Sequence, residues 1–429
     1  MRDIRTLLLT CSLALFQFTA ASETSTLGSG KCKKIEVRKE WRSFSKPEKK
    51  AWIDAVNCLN RTPRSGKLNP PVNTTEYGPF NFIVPISPEG TYYDELVYTH
   101  MNLNPIIHFT GLFLPFHRLY THEWTNALRS QCGYKGVAPY WAWEYDSADI
   151  EHSPIWDTDP VYGLGGFGDP DDDNIVKTGA LNLTLTYPAK HKLRRQFQPR
   201  PFTGLPGGEN ILPNITFTPA EINALLSQPE GNFTAFHAYM EQFIGMHGAI
   251  HGITGGDLAG RCPRGSNATN CPIDGAPTFS SNEPLFHLHH GNVDRLWWLW
   301  QEKSRSNKFA FHGGSVQDIS QIAQYPNGIA PWLKKTDLIP GAGMFKSISI
   351  QDSLDTRKPP FCYLFVAVRP PPIGFMHPTP KPEDLPTPPD VQMPPAEAST
   401  LPKDVKKTQR LDSEGVYLHV GSRIQARRT

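Results

Sequence analysis

Six histidines fall in two triplets, and bringing them together is the strongest demand this chain makes on its fold. His100, His108 and His117 stand with seven and then eight residues between them. His247 and His251 are four apart, and His290 follows inside the run Glu283-Pro-Leu-Phe-His-Leu-His-His-Gly-Asn-Val-Asp-Arg-Leu-Trp-Trp-Leu-Trp300. Neutral imidazole suits Cu, Zn, Fe and Ni, whereas hard cations such as Mg and Ca take carboxylates. Two all-imidazole triplets are what two adjacent copper ions need. Three nitrogens on each metal leave coordination positions open, so the pattern points to an oxygen-handling dinuclear site rather than a structural clip.

The chain has 15 histidines, and a single one on an apolar face is usually an ordinary packed residue. His152, His191, His237, His312, His377 and His419 are read that way. A pair four residues apart differs, because both members lie on one helix face and can address one ion. The pair His247-Gly-Ala-Ile-His251 lacks the glutamate of a HExxH zinc protease. A zinc hydrolase is therefore the weaker metal reading.

The surroundings of the triplets narrow the reading. Around the first lie Ile107-His108-Phe-Thr-Gly-Leu-Phe-Leu-Pro-Phe-His117-Arg118, then Cys132-Gly-Tyr-Lys-Gly and Pro139-Tyr-Trp-Ala-Trp143. The second supplies His251-Gly-Ile-Thr-Gly-Gly-Asp257 and His289-His290 followed by Asp294-Arg295. Together these resemble the tyrosinase and catechol oxidase family with its dinuclear copper centre, in particular its short secreted fungal branch. The resemblance runs from about residue 40 to about 300, with weaker support to Tyr363.

The resemblance implies that His100, His108 and His117 bind one copper (CuA) and that His247, His251 and His290 bind the other (CuB). It makes His289 a neighbour of the ligands rather than one of them. His287 stands where relatives usually place an aromatic or apolar residue; a packed side chain is favoured there over a proton relay. Some relatives form a Cys–His thioether through a cysteine two residues before the second CuA ligand. Ile106 occupies that place, so none is expected. Relatives with strong monophenol activity often have Asn directly after the first CuB histidine, working with an upstream acid to hold a water. Here Gly248 stands there and Glu241 lies upstream, which favours oxidation of o-diphenols or o-aminophenols over hydroxylation. Asp294 is a candidate acceptor for an imidazole N–H, with an ion pair to Arg118 or Arg295 as the structural alternative. Phe279 is a candidate gate over CuB, and Thr125 replaces an acid that relatives usually carry.

Helical signals predict the architecture. Ser45 caps a segment running to Leu59 with a proline in its first turn. Tyr93–Met101, Leu114–Arg129, Thr234–His251 and Asn292–Gln301 repeat apolar residues at helical spacing. The expected fold is mainly α: a four-helix bundle core holding the dicopper centre, with extensive loops and few short strands. The Gly-, Pro- and Asp-rich stretch 157–208 is expected to be a surface excursion bordering the site mouth. Phe109, Phe113, Phe116, Trp297, Trp298 and Trp300 are expected to be mostly core.

Residues 1–21 read as a secretory signal peptide, with Arg2 and Arg5 ahead of a short apolar run. The catalytic domain is placed at 31–368. From 369 to 429 the chain reads as a disordered tail, with twelve prolines between Pro370 and Pro402. Six cysteines remain after signal removal, which suggests disulfides, with Cys262 and Cys271 the preferred pair. Sequons at Asn60, Asn73, Asn182, Asn214, Asn232 and Asn267 make glycosylation an expectation for an exported chain. A formal charge of +2 is too balanced to suggest a nucleic-acid partner, and no later segment is apolar for long enough to span a membrane.

The expected partners are a phenolic small molecule and O2, the product being an o-quinone for pigment or phenolic secondary-metabolite formation. The alternatives are a tyrosinase with full monophenol monooxygenase activity and a non-catalytic, hemocyanin-like O2-binding protein. A carrier would be expected to carry a blocking domain and to form large oligomers. Neither is suggested, and the sequence gives no oligomeric state.

Overall fold

A computed structural model describes residues 31–73 and 81–366, apart from residues 204, 206, 273, 275 and 276. The expected signal peptide and proline-rich tail lie outside the described residues. Seven helices build the frame, and their starts follow from local side chains. Helix α1 (Lys46–Leu59) begins where the Glu48 carboxylate accepts from the Ser45 N–H at 2.8 Å. Helix α2 (Tyr92–Ile107) opens with a reciprocal cap between Thr91 and Asp94, which satisfies donors a helix start leaves unpaired. It runs past the expected Met101, includes Pro105, and ends at His108, whose backbone is extended. Helix α3 (Phe113–Cys132) closes on Gly133 in the left-handed conformation.

The expected single helix across Thr234–His251 is two helices. After α4 (Pro219–Leu226) come α5 (Phe233–Glu241) and α6 (Met246–Thr254), separated by a turn in which Gln242 and Gly245 are extended. The turn sets α6 on a new axis, so the two histidines of α6 are aimed independently of α5. Helix α7 (Leu285–Gln301) is longer than expected, because its buried face starts well before Asn292. The mainly helical bundle is therefore the fold, with strands of two to five residues filling in around it. Glu36–Glu40 lies centrally between Pro139–Tyr140 and Tyr363–Phe365, all parallel.

The run around His290 is mostly anchorage. Asp294 accepts from Arg118 Nε at 2.6 Å and Arg38 Nη1 at 2.9 Å, and it also bonds the Tyr363 hydroxyl. Arg295 and Asn292 both hold Glu144. Glu283 receives both arms of Arg195 at 2.8 and 2.9 Å, with both side chains fully buried. Removing one partner of such a buried pair strands the other charge. These bonds fasten α7 to α3, to the small sheet and to the 157–208 stretch.

That stretch is more internal than its composition suggests. Leu164, Leu183, Leu185 and Leu193 are core residues. The acidic run is ion-paired, Asp169 and Asp172 with Lys177 and Asp173 with Arg194. Gly255 and Gly256, both at positive φ, explain the double glycine before Asp257: a Cβ on either would meet the backbone of Gln196 or Arg194. Three disulfides join Cys32 to Cys362, Cys58 to Cys132 and Cys262 to Cys271, the last as expected. Every described cysteine is thereby used, and Ile106 stands before His108, so a thioether has no sulfur to form it. No helix among the described residues is long and apolar enough to cross a membrane.

Candidate metal centre

Helices α2, α3, α6 and α7 deliver imidazoles to one place. His100 projects from α2, His108 caps its end, and His117 lies on α3. One ring nitrogen from each of the three falls within 4.8 Å of the others. Across from them, His247 and His251 of α6 meet His289 and His290 of α7 in a second cluster of the same span. The two clusters touch: the His117 and His290 rings stack with centroids 4.1 Å apart. His289 thus sits inside the second cluster, closer to the ligand set than the expected neighbouring role required.

Hydrogen bonds fix how several rings face. Nδ1 of His100 bonds the Thr278 carbonyl at 3.0 Å, that of His108 the Asn104 carbonyl at 3.3 Å, and that of His117 the Phe113 carbonyl at 2.8 Å. Nδ1 of His251 bonds the Leu258 carbonyl at 2.8 Å. A carbonyl only accepts, so each of these nitrogens carries the proton and Nε2 is left with a lone pair facing the cluster. Nε2 of His100 and His117 lie 3.5 Å apart. On the other side, Nε2 of His247 and His251 and both nitrogens of His289 and His290 are buried without a hydrogen-bond partner. Buried polar atoms are rarely left so, and a metal would satisfy one nitrogen of each ring that binds it.

Burial keeps these rings neutral. It pushes His100 down to about 3 and His251 to about 4, each only partly offset by its carbonyl partner. His108, His117, His247, His289 and His290 are also held well below the usual value, first by burial and then by neighbouring imidazoles. Neutral nitrogen donors free of protons and of carboxylates fit copper, and the residues present therefore suit two such ions.

An opening of about 430 Å³ reaches the centre, lined by His108, His247, His251, Phe109, Phe243, Glu241, Gly248 and Gln317 among others. Pro201, Thr203 and Leu205 form part of its rim, so the 157–208 stretch borders the mouth as expected. Glu241 is buried and bonded on both oxygens, to the Phe109 N–H at 2.9 Å and to His237 Nε2 at 2.6 Å. Burial raises the Glu241 carboxyl well above the usual range, the Phe109 N–H opposing, and it lowers His237 to about 3. His237, read from sequence as an ordinary packed residue, is thus the partner of Glu241, a link the four-residue spacing on α5 could have signalled. A Cβ on Gly248 would lie 2.9 Å from the Phe243 carbonyl, so that position is glycine for lack of room.

Two expectations are corrected. Phe279 is 2% exposed and borders a separate small cavity with Met101 and Val84, so it does not gate the opening. Of the aromatics expected to be mostly core, Phe113, Phe116, Trp297, Trp298 and Trp300 are buried, and Phe109 is half-buried and on the wall. Asp294 spends its oxygens on Arg118, Arg38 and Tyr363 rather than on an imidazole. That is the ion-pair alternative, with Arg38 in place of Arg295. His287 is packed face-on to Trp124 at 3.7 Å, beside a cavity of about 10 Å³ that Thr125 also lines. Of the sequons, Asn73, Asn182, Asn232 and Asn267 are exposed. Asn60 is buried, with both ends of its amide bonded to Thr184, which leaves no room for a glycan. Asn214 is half-buried and donates to the Ser147 carbonyl.

A family model described as the common central domain of tyrosinase matches residues 90–303, which contain both clusters. The tyrosinase-like protein phomQ1 of Diaporthe leptostromiformis is 30% identical over 366 residues, 81% of each chain. Tyrosinase ustQ of Aspergillus flavus is 26% identical over 372 residues, 83% of this chain and 87% of its own. A solved structure of a polyphenol oxidase variant from Thermothelomyces thermophila superimposes with a TM-score of 0.54 at 23% identity. That match spans 77% of this chain and 89% of the other, and it is a likeness of fold.

Proposed function

The chain belongs to the tyrosinase family and is a phenol-oxidising enzyme, and from that premise we propose that it is a secreted dicopper oxidase converting o-diphenols to o-quinones. His100, His108 and His117 hold one copper; His247, His251 and His290 hold the other, with His289 against them. The observation that carries this reading is the pair of facing imidazole clusters with buried, unpartnered nitrogens. Bound copper supplies the electron transfer to O2: each diphenol gives up two electrons and two protons, and two diphenols reduce one O2 to two waters.

The protein contributes fixed rings and a dry, shaped approach. Main-chain carbonyls hold four of the imidazoles in the tautomer that leaves Nε2 facing inward. The opening admits a flat aromatic ring between the Phe109 side and the α6 side. Gly248 offers no side chain to hold a water there, and Glu241 is already bonded on both oxygens. Both features favour diphenol oxidation over monophenol hydroxylation. In an exported chain, Asn73, Asn182, Asn232 and Asn267 are the positions proposed to carry glycans.

Oxygen uptake by purified copper-loaded protein, with a monophenol and the matching o-diphenol side by side, tests the reading. Rapid uptake with the diphenol and little with the monophenol is expected. Comparable uptake with both, after a lag, would make hydroxylation part of the activity. Uptake with neither, in protein carrying two coppers, would favour an O2 carrier and sink the oxidase.

A further inference from the structure

The peptide joining His108 to Phe109 is held at both polar ends by side chains from distant parts of the chain. Its carbonyl accepts from Gln317 Nε2 at 3.0 Å, and its N–H donates to Glu241 Oε1 at 2.9 Å. Each holder is itself held. Glu241 Oε2 lies 2.6 Å from His237 Nε2. Gln317 Oε1 accepts from Asn81 Nδ2 at 3.1 Å, and Asn81 Oδ1 accepts from the Asn104 amide. The Asn104 carbonyl accepts from His108 Nδ1 at 3.3 Å, so the chain of bonds returns to the histidine where it began.

What this clamp maintains is a backbone conformation that Phe109 would not choose. Its φ is +52°, in the left-handed region that a side chain disfavours and where glycine is the usual occupant. The conformation turns the Phe109 ring against Phe243, with centroids 4.7 Å apart and planes at 38°. Both rings are half-buried, and both wall the 430 Å³ opening beside His108, His247 and His251. Residues kept in sparsely populated conformations by surrounding bonds tend to mark sites where geometry matters.

We propose that Phe109 and Phe243 form the platform on which the substrate's aromatic ring lies, and that Glu241 and Gln317 are positioning residues that clamp the His108–Phe109 peptide to hold that platform. The proposal rests on the phenol-oxidase reading above. It makes Glu241 a strut rather than the group that takes the substrate's proton. An offset aromatic contact suits a flat ring and adds affinity beyond burial alone.

The test uses copper-loaded enzyme, with 4-nitrocatechol binding read by difference absorbance and kcat and KM measured on catechol. Phe243→Leu, which keeps apolar bulk but not the ring, is expected to weaken 4-nitrocatechol binding about fivefold or more. KM should rise in parallel while kcat moves less than about threefold. Phe243→Ala should weaken binding further. Glu241→Ala and Gln317→Ala each remove one jaw of the clamp and should weaken binding by a similar factor. Glu241→Gln should restore it, because its carbonyl accepts from the Phe109 N–H and its NH2 donates to His237.

Binding by both Phe243 variants within twofold of the wild type would overturn the platform. Glu241→Gln as impaired in kcat as Glu241→Ala would overturn the strut and make Glu241 the proton acceptor. Wild-type protein that binds 4-nitrocatechol through Phe243 yet oxidises no phenol would sink the oxidase reading and leave the platform standing.

Discussion

In the first imidazole cluster all three rings donate a hydrogen bond to main-chain carbonyls, and for His108 and His117 the acceptor lies four residues back along α2 or α3. In the second, His251 does the same toward Leu258, while His289 and His290 find no hydrogen-bond partner on either nitrogen. Those two rings are held by stacking instead. His290 lies between His117 at 4.1 Å and Phe286 at 4.2 Å, and His289 lies along His247 at 5.1 Å. The first cluster is therefore oriented by carbonyl hydrogen bonds, two within the rings' own helices and one from Thr278 to His100, and the second largely by packing across the bundle. The first should be formed whenever α2, α3 and the turn carrying Thr278 are in place; the second should depend on the whole fold and on the metal.

The largest effects should come from breaking each cluster in turn. His117→Ala and His290→Ala are each expected to lose one copper per chain and turnover altogether, checked by metal analysis beside oxygen uptake. Retained activity in either variant with its metal content verified would remove that residue from the ligand set. His289→Ala sharpens the contrast inside the second cluster. As a neighbour of the ligands it should lower copper affinity about 10- to 100-fold. Outright loss of one copper from His289→Ala, with His290→Ala retaining two, would exchange the roles of the adjacent histidines.

A bolt joins the two clusters. Arg118 follows His117 directly, Asp294 sits one turn beyond His290, and the two pair at 2.6 Å with under 2% exposure. Asp294→Ala leaves Arg118 and Arg38 without their shared carboxylate, and it should cost about 3–5 kcal/mol of stability. Thermal melting of the metal-free protein measures this. The variant should also lose copper from the packing-built second cluster before the first. Equal loss from both would show that the first leans on the bundle as much as the second.

How far the sequence disclosed this arrangement follows from the same difference. The histidines of the first cluster, the helices that carry them and the Cys262–Cys271 bridge were readable because spacing and helical period are local properties. The break between α5 and α6 was not, since Thr234 to His251 keeps an apolar rhythm straight through the turn. The Phe279 gate failed because burial is decided by what packs on a residue, here α2 against the 3-10 turn that carries it. Asp294 could be narrowed to two roles from sequence, but choosing between them required Arg38, 256 positions away. Nothing in the order of residues placed Gln317 against the His108 carbonyl.

The smallest expected effect concerns the carbonyl that orients His251. Leu258 provides it, and the residue before, Asp257, binds His191 Nε2 at 2.9 Å and the Arg194 N–H at 2.8 Å. Burial alone would lower the His191 pKa, but the attraction and hydrogen bond of Asp257, with the Ala189 carbonyl, outweigh it and leave the value raised. A raised value in the folded state means that protonation favours folding. The contribution is fully present below the unfolded histidine value of about 6.5 and is lost as pH rises through the folded one. Melting wild type and His191→Gln at pH 6 and again at pH 9 should therefore give a wider gap at pH 6. The first cluster has no titrating group in its carbonyl anchors, so His251 is the ring whose support should loosen in alkali. A gap that stays constant, or that widens toward pH 9, would detach His191 from that support and leave Leu258 held by the backbone alone.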